Sequence, residues 1–236
     1  MSVAVITGAS RGLGLALARA LARRGWSLVL DARGAPALAE VAGELAEWTA
    51  VAALPGDVAD ARHRAALLEA AAGLGGLDLL VNNASVLGAE PLVPLADQPL
   101  EGFRHALEVN VTAPLALVQQ ALPLLRRSAA GAVVCVSSDA AVEAYPTWGG
   151  YGAAKAALDQ LSAVLAQEEP GLRVWAVDPG DMLTALYTAA VPEDTELGGR
   201  ALPEAVAPAF LALLDRRPPS GRYTAAALLD PAGTRR

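Results

Sequence analysis

The sequence predicts an α/β fold, a doubly wound, Rossmann-type parallel sheet of about seven strands with helices on both faces. Three observations predict it. Short aliphatic runs alternate with longer helical periods from end to end, the repeat that builds β-α-β units with right-handed crossovers. The run Ala132-Val-Val-Cys-Val136 is apolar without interruption, as suits a parallel strand covered on both faces. A glycine-rich turn joins the first strand to the first helix, where backbone amides and the helix dipole can receive a phosphate.

In chain order, strands are predicted over residues 3–7, 27–31, 51–54, 77–82, 132–137 and 173–177, with a weaker one over 221–224. Helical periods run over 13–24, 35–48, 59–73, 100–127, 151–167 and 203–216. Gly25 and Gly73 stand where helices should stop, and Pro203 suits a first turn. No compositional break marks a second domain, so residues 1–236 read as one unit. Residues 181–202 depart from the rhythm. They are long, lack a period and follow Pro179-Gly180, which suits a lid over a substrate.

Composition narrows the function classes. With 54% hydrophobic and 18% charged residues, the chain has enough apolar surface to fold. A net charge of −7 leaves no basic stripe for phosphates, which argues against nucleic acid and anionic membranes as partners. Cys135 is the only cysteine and lies in an apolar run, so it reads as a core thiol. No basic-then-apolar leader and no span of about 20 apolar residues is present, so the cytoplasm is the expected location. No metal-ligand cluster is evident, and His63 and His105 sit in helical patterns with no catalytic constellation around them.

The chemistry-bearing residues fall in a definite order. The first strand runs into Thr7-Gly8-Ala9-Ser10-Arg11-Gly12-Leu13-Gly14, whose G-x-x-x-G-x-G spacing differs from the commoner G-x-G-x-x-G. Lys155 is the only lysine, every other basic side chain being arginine, and it follows Tyr151 by four residues. That spacing puts phenol and ammonium on one helix face. An ammonium is a compact, rotatable charge that a planar guanidinium does not replace. Asn82-Asn83-Ala84 ends the fourth strand, Asn110 lies within an apolar helical pattern, and Ser138 precedes Tyr151 by thirteen residues.

In order and spacing these segments resemble the short-chain dehydrogenase/reductase family in its compact form, over nearly the whole chain. The resemblance implies hydride transfer between a nicotinamide cofactor and a carbonyl or secondary alcohol. It implies catalytic roles for Asn110, Ser138, Tyr151 and Lys155. Tyr151 would pass the proton, Lys155 would lower its pKa and bind the nicotinamide ribose, and Ser138 would steady the substrate oxygen. Asn110 would hold a water linking Lys155 to solvent. The cofactor would lie on Gly8, Ser10, Arg11, Gly12, Leu13 and Gly14, then on Asn83, Ala84, Tyr151 and Lys155, with Pro179, Gly180, Met182 and Thr184 clasping its carboxamide. Asp57 and Val58 would meet the adenine, although Asp57 also suits a helix N-cap, and both can hold. Ser85 departs from the family pattern, which has glycine there, and a side chain at that position would narrow the floor beside the nicotinamide.

Cofactor choice turns on the end of the second strand. The family's ribose-binding acid lies eighteen residues after the last loop glycine, and here that position is Ala32. Asp31 is one residue early, on the opposite strand face. Arg33 and Arg11 are placed to meet a 2′-phosphate, so NADP(H) is expected over NAD(H). The resemblance further implies a small-molecule substrate and a homodimer or homotetramer formed through helices 100–127 and 151–167. Loss of Ser138, Tyr151 or Lys155 would have favoured a cofactor-sensing regulatory protein with little catalysis; all three are present.

Overall fold

The structure, a computed structural model, describes residues 2–195 and 197–230. Strands β1 (Val3–Ile6), β2 (Ser27–Ala32), β3 (Val51–Pro55), β4 (Leu79–Asn82), β5 (Ala132–Val136), β6 (Arg173–Asp178) and β7 (Gly221–Thr224) form one parallel sheet in the order β3-β2-β1-β4-β5-β6-β7. Each lies within two residues of the bounds read from the sequence. The order reverses at β1, whose neighbours are β2 and β4. A crevice for ligands opens at such a switch point, beyond the carboxyl ends of the strands.

Helices α1 (Gly12–Ala22), α2 (Ala35–Leu45), α3 (Ala61–Gly73), α4 (Leu100–Leu107), α5 (Ala113–Leu125) and α6 (Gly149–Glu168) precede β6; α7 (Ala185–Ala190), α8 (Pro203–Arg216) and α9 (Ala225–Leu229) follow it. Ala4 and Ile6 of β1 pack with Leu17, Leu38 and Phe210 from α1, α2 and α8. Val3 and Val5 pack with Leu67, Leu117 and Leu158 from α3, α5 and α6 on the other face. Successive strand side chains thus enter two different cores, which is why the strands read as continuous apolar runs.

Two departures from the predicted helices have a visible cause. The single helix expected over 100–127 is interrupted by a π-helical turn, Glu108–Thr112. That turn carries Asn110, 1% exposed, whose amide exchanges two hydrogen bonds with the Val86 main chain, Nδ2 to O at 2.8 Å and N to Oδ1 at 3.0 Å. An amide buried in an unbroken apolar helix would lack partners; here the wider turn supplies them. Helix α3 begins at Ala61 rather than 59, because Asp60 is its N-cap and accepts from Arg62 N at 2.8 Å. Asp57 instead closes the turn before it, accepting from Ala59 N at 2.9 Å.

Segment 181–202 has more structure than its lack of period suggests. It contains α7, Met182 bridges to Ala201, and Arg200 pairs with Asp181 at 2.8 Å and Asp194 at 3.1 Å. The Arg200 guanidinium also lies over the Tyr187 ring, 5.2 Å from its centroid, while Tyr187 Oη donates to Asp194 at 2.9 Å. These contacts join residues six to nineteen positions apart and leave no helical or strand period.

Candidate active site

The glycine turn leaves β1 at Thr7, which is buried and sews β1 to β4. Its Oγ1 accepts from the Asn83 and Ala84 amides, both at 3.0 Å. Asn83 Nδ2 donates back to Thr7 O at 2.8 Å and Gly8 O at 3.2 Å. Gly8 and Gly12 hold φ of 66° and 57°, the left-handed region that L side chains avoid. A Cβ on Gly14 would overlap Gly8 O and Asn83 Nδ2. Arg11, at the N-cap of α1, makes no side-chain cap bond, so the first-turn amides are left for an anion. This glycine cradle, uncapped helix end and arginine fit the pyrophosphate of a dinucleotide.

One continuous cleft of ≈ 1020 Å³ follows the strand ends, the upper end of small-molecule pocket sizes. Gly8, Ser10, Arg11, Gly12, Leu13, Arg33, Asp57, Val58, Asn83, Ala84, Ser138, Tyr151, Lys155, Pro179, Gly180, Met182 and Thr184 all line it. Two expected residues do not. Gly14 sits behind the loop against Gly8, where it permits close packing, and Asn110 spends its side chain on Val86. The Leu13 side chain belongs to the core, leaving its main chain for a ligand. Asn83 bonds the loop with its amide, so it shapes the cradle through the protein.

At the other end of the cleft, Ser138 lies two residues past the end of β5, and Tyr151 and Lys155 project from the first two turns of α6. A Cβ on Gly152 would overlap the Ala140 carbonyl, so the glycine lets α6 approach the residues after Ser138. Ser138 Oγ donates to Asp139 Oδ1 at 3.0 Å, since an ionised carboxylate can only accept. It also accepts from Ala140 N at 3.2 Å. Arg222 of β7 clamps this corner from behind, donating to Ser138 O and Asp159 at 2.9 Å and to Asp178 at 3.3 Å. Asp178 in turn accepts from Gly180 N at 2.9 Å, setting the turn after β6.

Lys155 is 2% exposed and donates to Val136 O at 2.8 Å. Burial brings its pKa down to about 8, with the buried Cys135 and Asp159 pulling the other way. Its Nζ lies 5.5 Å from the Tyr151 ring centroid. Burial pushes Tyr151 up to about 12, Asp139 and Asp178 add to the rise, and only Ser85 opposes it. The expected lowering of the phenol by the ammonium is not among the influences on Tyr151: Lys155 donates to a strand carbonyl, and desolvation of the phenolate dominates. Ser85 Oγ is shut from solvent with no closed hydrogen bond, and it approaches the phenol whose pKa it draws down.

Apolar and aromatic side chains of Leu87, Tyr145, Trp148, Leu186 and Tyr187 wall the space beyond Tyr151. The Trp148 and Tyr151 rings meet edge-on at 5.7 Å. Asp139 Oδ2 accepts from Tyr145 Oη at 3.0 Å, a bond that sequence reading did not foresee. The reading also missed the pairing of His63 with Asp31 at 2.6 Å, since thirty-two residues and two elements separate them. Among the described residues, no group of three or more His, Cys, Asp or Glu is placed to hold a metal, and no helix is long and apolar enough to cross a membrane.

A seven-stranded parallel Rossmann sheet, a glycine cradle at its switch point and a Ser-Tyr-Lys set at the far end of one cleft define a dinucleotide-binding oxidoreductase scaffold. The family model for short chain dehydrogenases matches residues 2–195. Cis-4-hydroxycyclohexanecarboxylate dehydrogenase of Sinomonas cyclohexanicum is 37% identical over 224 residues, 88% of this chain and 87% of the relative. The alcohol dehydrogenase of the archaeon Thermococcus sibiricus, solved with 5-hydroxy-NADP, superposes with a TM-score of 0.85 at 30% identity, covering 95% of each chain. A short-chain dehydrogenase of Escherichia coli CFT073, solved with NADPH, gives 0.86 at 29% identity over 95% of this chain and 96% of that one. The chain belongs to the short-chain dehydrogenase family of oxidoreductases.

Proposed function

We propose that the protein is an NADP(H)-dependent reductase of a small carbonyl compound, or in reverse a dehydrogenase of the matching secondary alcohol. The observation that carries this reading is that Ser138, Tyr151 and Lys155 line the same cleft as the glycine cradle and Arg33. When bound, the nicotinamide supplies the hydride chemistry. Tyr151, protonated at neutral pH and raised further by burial, donates its proton to the carbonyl oxygen as general acid. Lys155, brought down to about 8, is able to return a proton close to physiological pH. Ser138 steadies the oxygen; its hydroxyl proton, directed at Asp139, swings onto a carbonyl or stays in place while a substrate alcohol donates to Oγ.

NADP complexes among the related structures support the choice of NADP(H), as do the exposed Arg11 and Arg33 on the adenosine side of the cleft. The clasped segment 181–202 serves as the lid, since Met182, Leu183, Leu186 and Tyr187 line the cleft. Exposed Leu115 on α5 and Val164 on α6 support self-association through these helices. The test is a panel of ketones, aldehydes and secondary alcohols followed by nicotinamide absorbance with each cofactor. Turnover with NADPH exceeding that with NADH is expected, and Arg33→Ala should lower the ratio of kcat/KM values roughly 10- to 100-fold, the worth of a charge-assisted phosphate contact. A wild-type preference for NADH refutes the cofactor choice, and silence across the panel refutes the reaction.

A further inference from the structure

Asp31, near the carboxyl end of β2, is bonded by a histidine from a different element. Asp31 lines the cleft yet is 2% exposed. His63 Nε2 donates to its Oδ1 at 2.6 Å, and Gly8 N donates to its Oδ2 at 3.3 Å. Gripping both hydroxyls of an adenosine ribose takes both oxygens of an acid. Here both are engaged by the protein. Burial raises the Asp31 carboxyl, and the His63 bond opposes it, followed by the Gly8 bond. His63 reaches this seat from the first turn of α3 because Gly56 leaves room, since a Cβ there would collide with the imidazole. β2, the turn after β3 and α3 therefore converge on one bond.

We propose that His63 is a specificity-determining positioning residue for the cofactor. By retaining Asp31 against Gly8 it keeps a negative charge off the ribose 2′ position, and Arg33 and Arg11 then set the preference for a 2′-phosphate. The inference rests on the NADP(H) reading of the cleft. Without His63, a buried carboxylate with a single remaining bond is costly. It recovers partners by turning into the cleft, where it accepts from ribose hydroxyls and repels a phosphate. Discrimination then shifts through a repulsive element as much as through lost attraction.

The test uses fragments that report on the adenosine end alone. Calorimetric titration of the purified protein with 2′,5′-ADP and with 5′-AMP measures the preference without any turnover. Wild type should favour 2′,5′-ADP. His63→Leu should lower that ratio at least tenfold, and Asp31→Asn added to it should restore the ratio. His63→Gln, which keeps a donor, should retain most of it. Asp31→Asn alone should move the ratio by less than about threefold, because the carboxylate it removes is already withdrawn; this arm stands even where His63→Leu fails to fold. A ratio unmoved by His63→Leu overturns the proposal, as does an equal weakening of both ligands that Asp31→Asn does not reverse. So does a tenfold gain from Asp31→Asn alone. A wild type that prefers 5′-AMP sinks the NADP(H) reading itself, a distinct result.

Discussion

Replacing Lys155 by methionine removes a buried ammonium while keeping an unbranched side chain of similar length, and its effect on stability can be worked from the structure. Lys155 sits 2% exposed with one hydrogen bond, to Val136 O. Its pKa falls from an ordinary 10.5 to about 8 in the fold. At 1.36 kcal/mol per pH unit, holding the charge costs the folded protein about 3 kcal/mol at neutral pH. Losing the bond to Val136 returns about 1 kcal/mol of that, so Lys155→Met should stabilise the fold by about 2 kcal/mol at pH 7. For a chain of this size that is roughly a 4–8 °C rise in Tm. The sign with pH follows from proton counting. Below pH 8 both folded and unfolded chains hold the proton and the cost is complete. Between pH 8 and 10.5 the unfolded chain holds a proton that the folded one has released, so wild-type stability rises with pH. Above 10.5 the cost is gone, and the variant is the less stable by its missing bond. Tyr151 titrates in both proteins and cancels in the difference. Turnover should meanwhile drop roughly 10²- to 10⁴-fold. Urea unfolding at pH 7, 8, 9 and 10 with parallel turnover measurements reads both. A variant less stable than wild type at pH 7, or a difference flat across that range, refutes the account of Lys155 as a charge kept at a cost to the fold.

Tyr151→Phe should reduce turnover roughly 10²- to 10⁴-fold, the range of a lost general acid, while NADPH still binds in a fluorescence titration; near-normal turnover removes Tyr151 from the mechanism. Ser85→Gly should move the rising limb of the pH–rate profile for alcohol oxidation to higher pH, because the Ser85 hydroxyl draws the Tyr151 phenol down. An unmoved limb would show that the Ser85 hydroxyl does not act on the phenol.

Periodicity and turn chemistry carried most of the architecture. Each strand is a continuous aliphatic run with its own boundary residues, so all seven were legible to within two residues. The helix over 100–127 was not, because its apolar pattern continues through Glu108–Thr112 and the reason for the break, the Val86 main chain, is distant in sequence. The order within segment 181–202 was hidden for a similar cause, since Arg200 pairs across it with Asp181 and Asp194.

The site divides along the same line. Residue identity and spacing determined the glycine cradle between β1 and α1 and the Ser138, Tyr151 and Lys155 set between β5 and α6, and the order of such motifs along the chain gave the family resemblance, since each motif is a local pattern that folding leaves intact. Only tertiary structure decided what those groups experience. Burial raises Tyr151 and lowers Lys155, Asn83 and Gly14 support the cradle from within, and His63 retains Asp31. Desolvation and cross-element hydrogen bonds depend on which residues meet in space, and no linear spacing encodes that meeting.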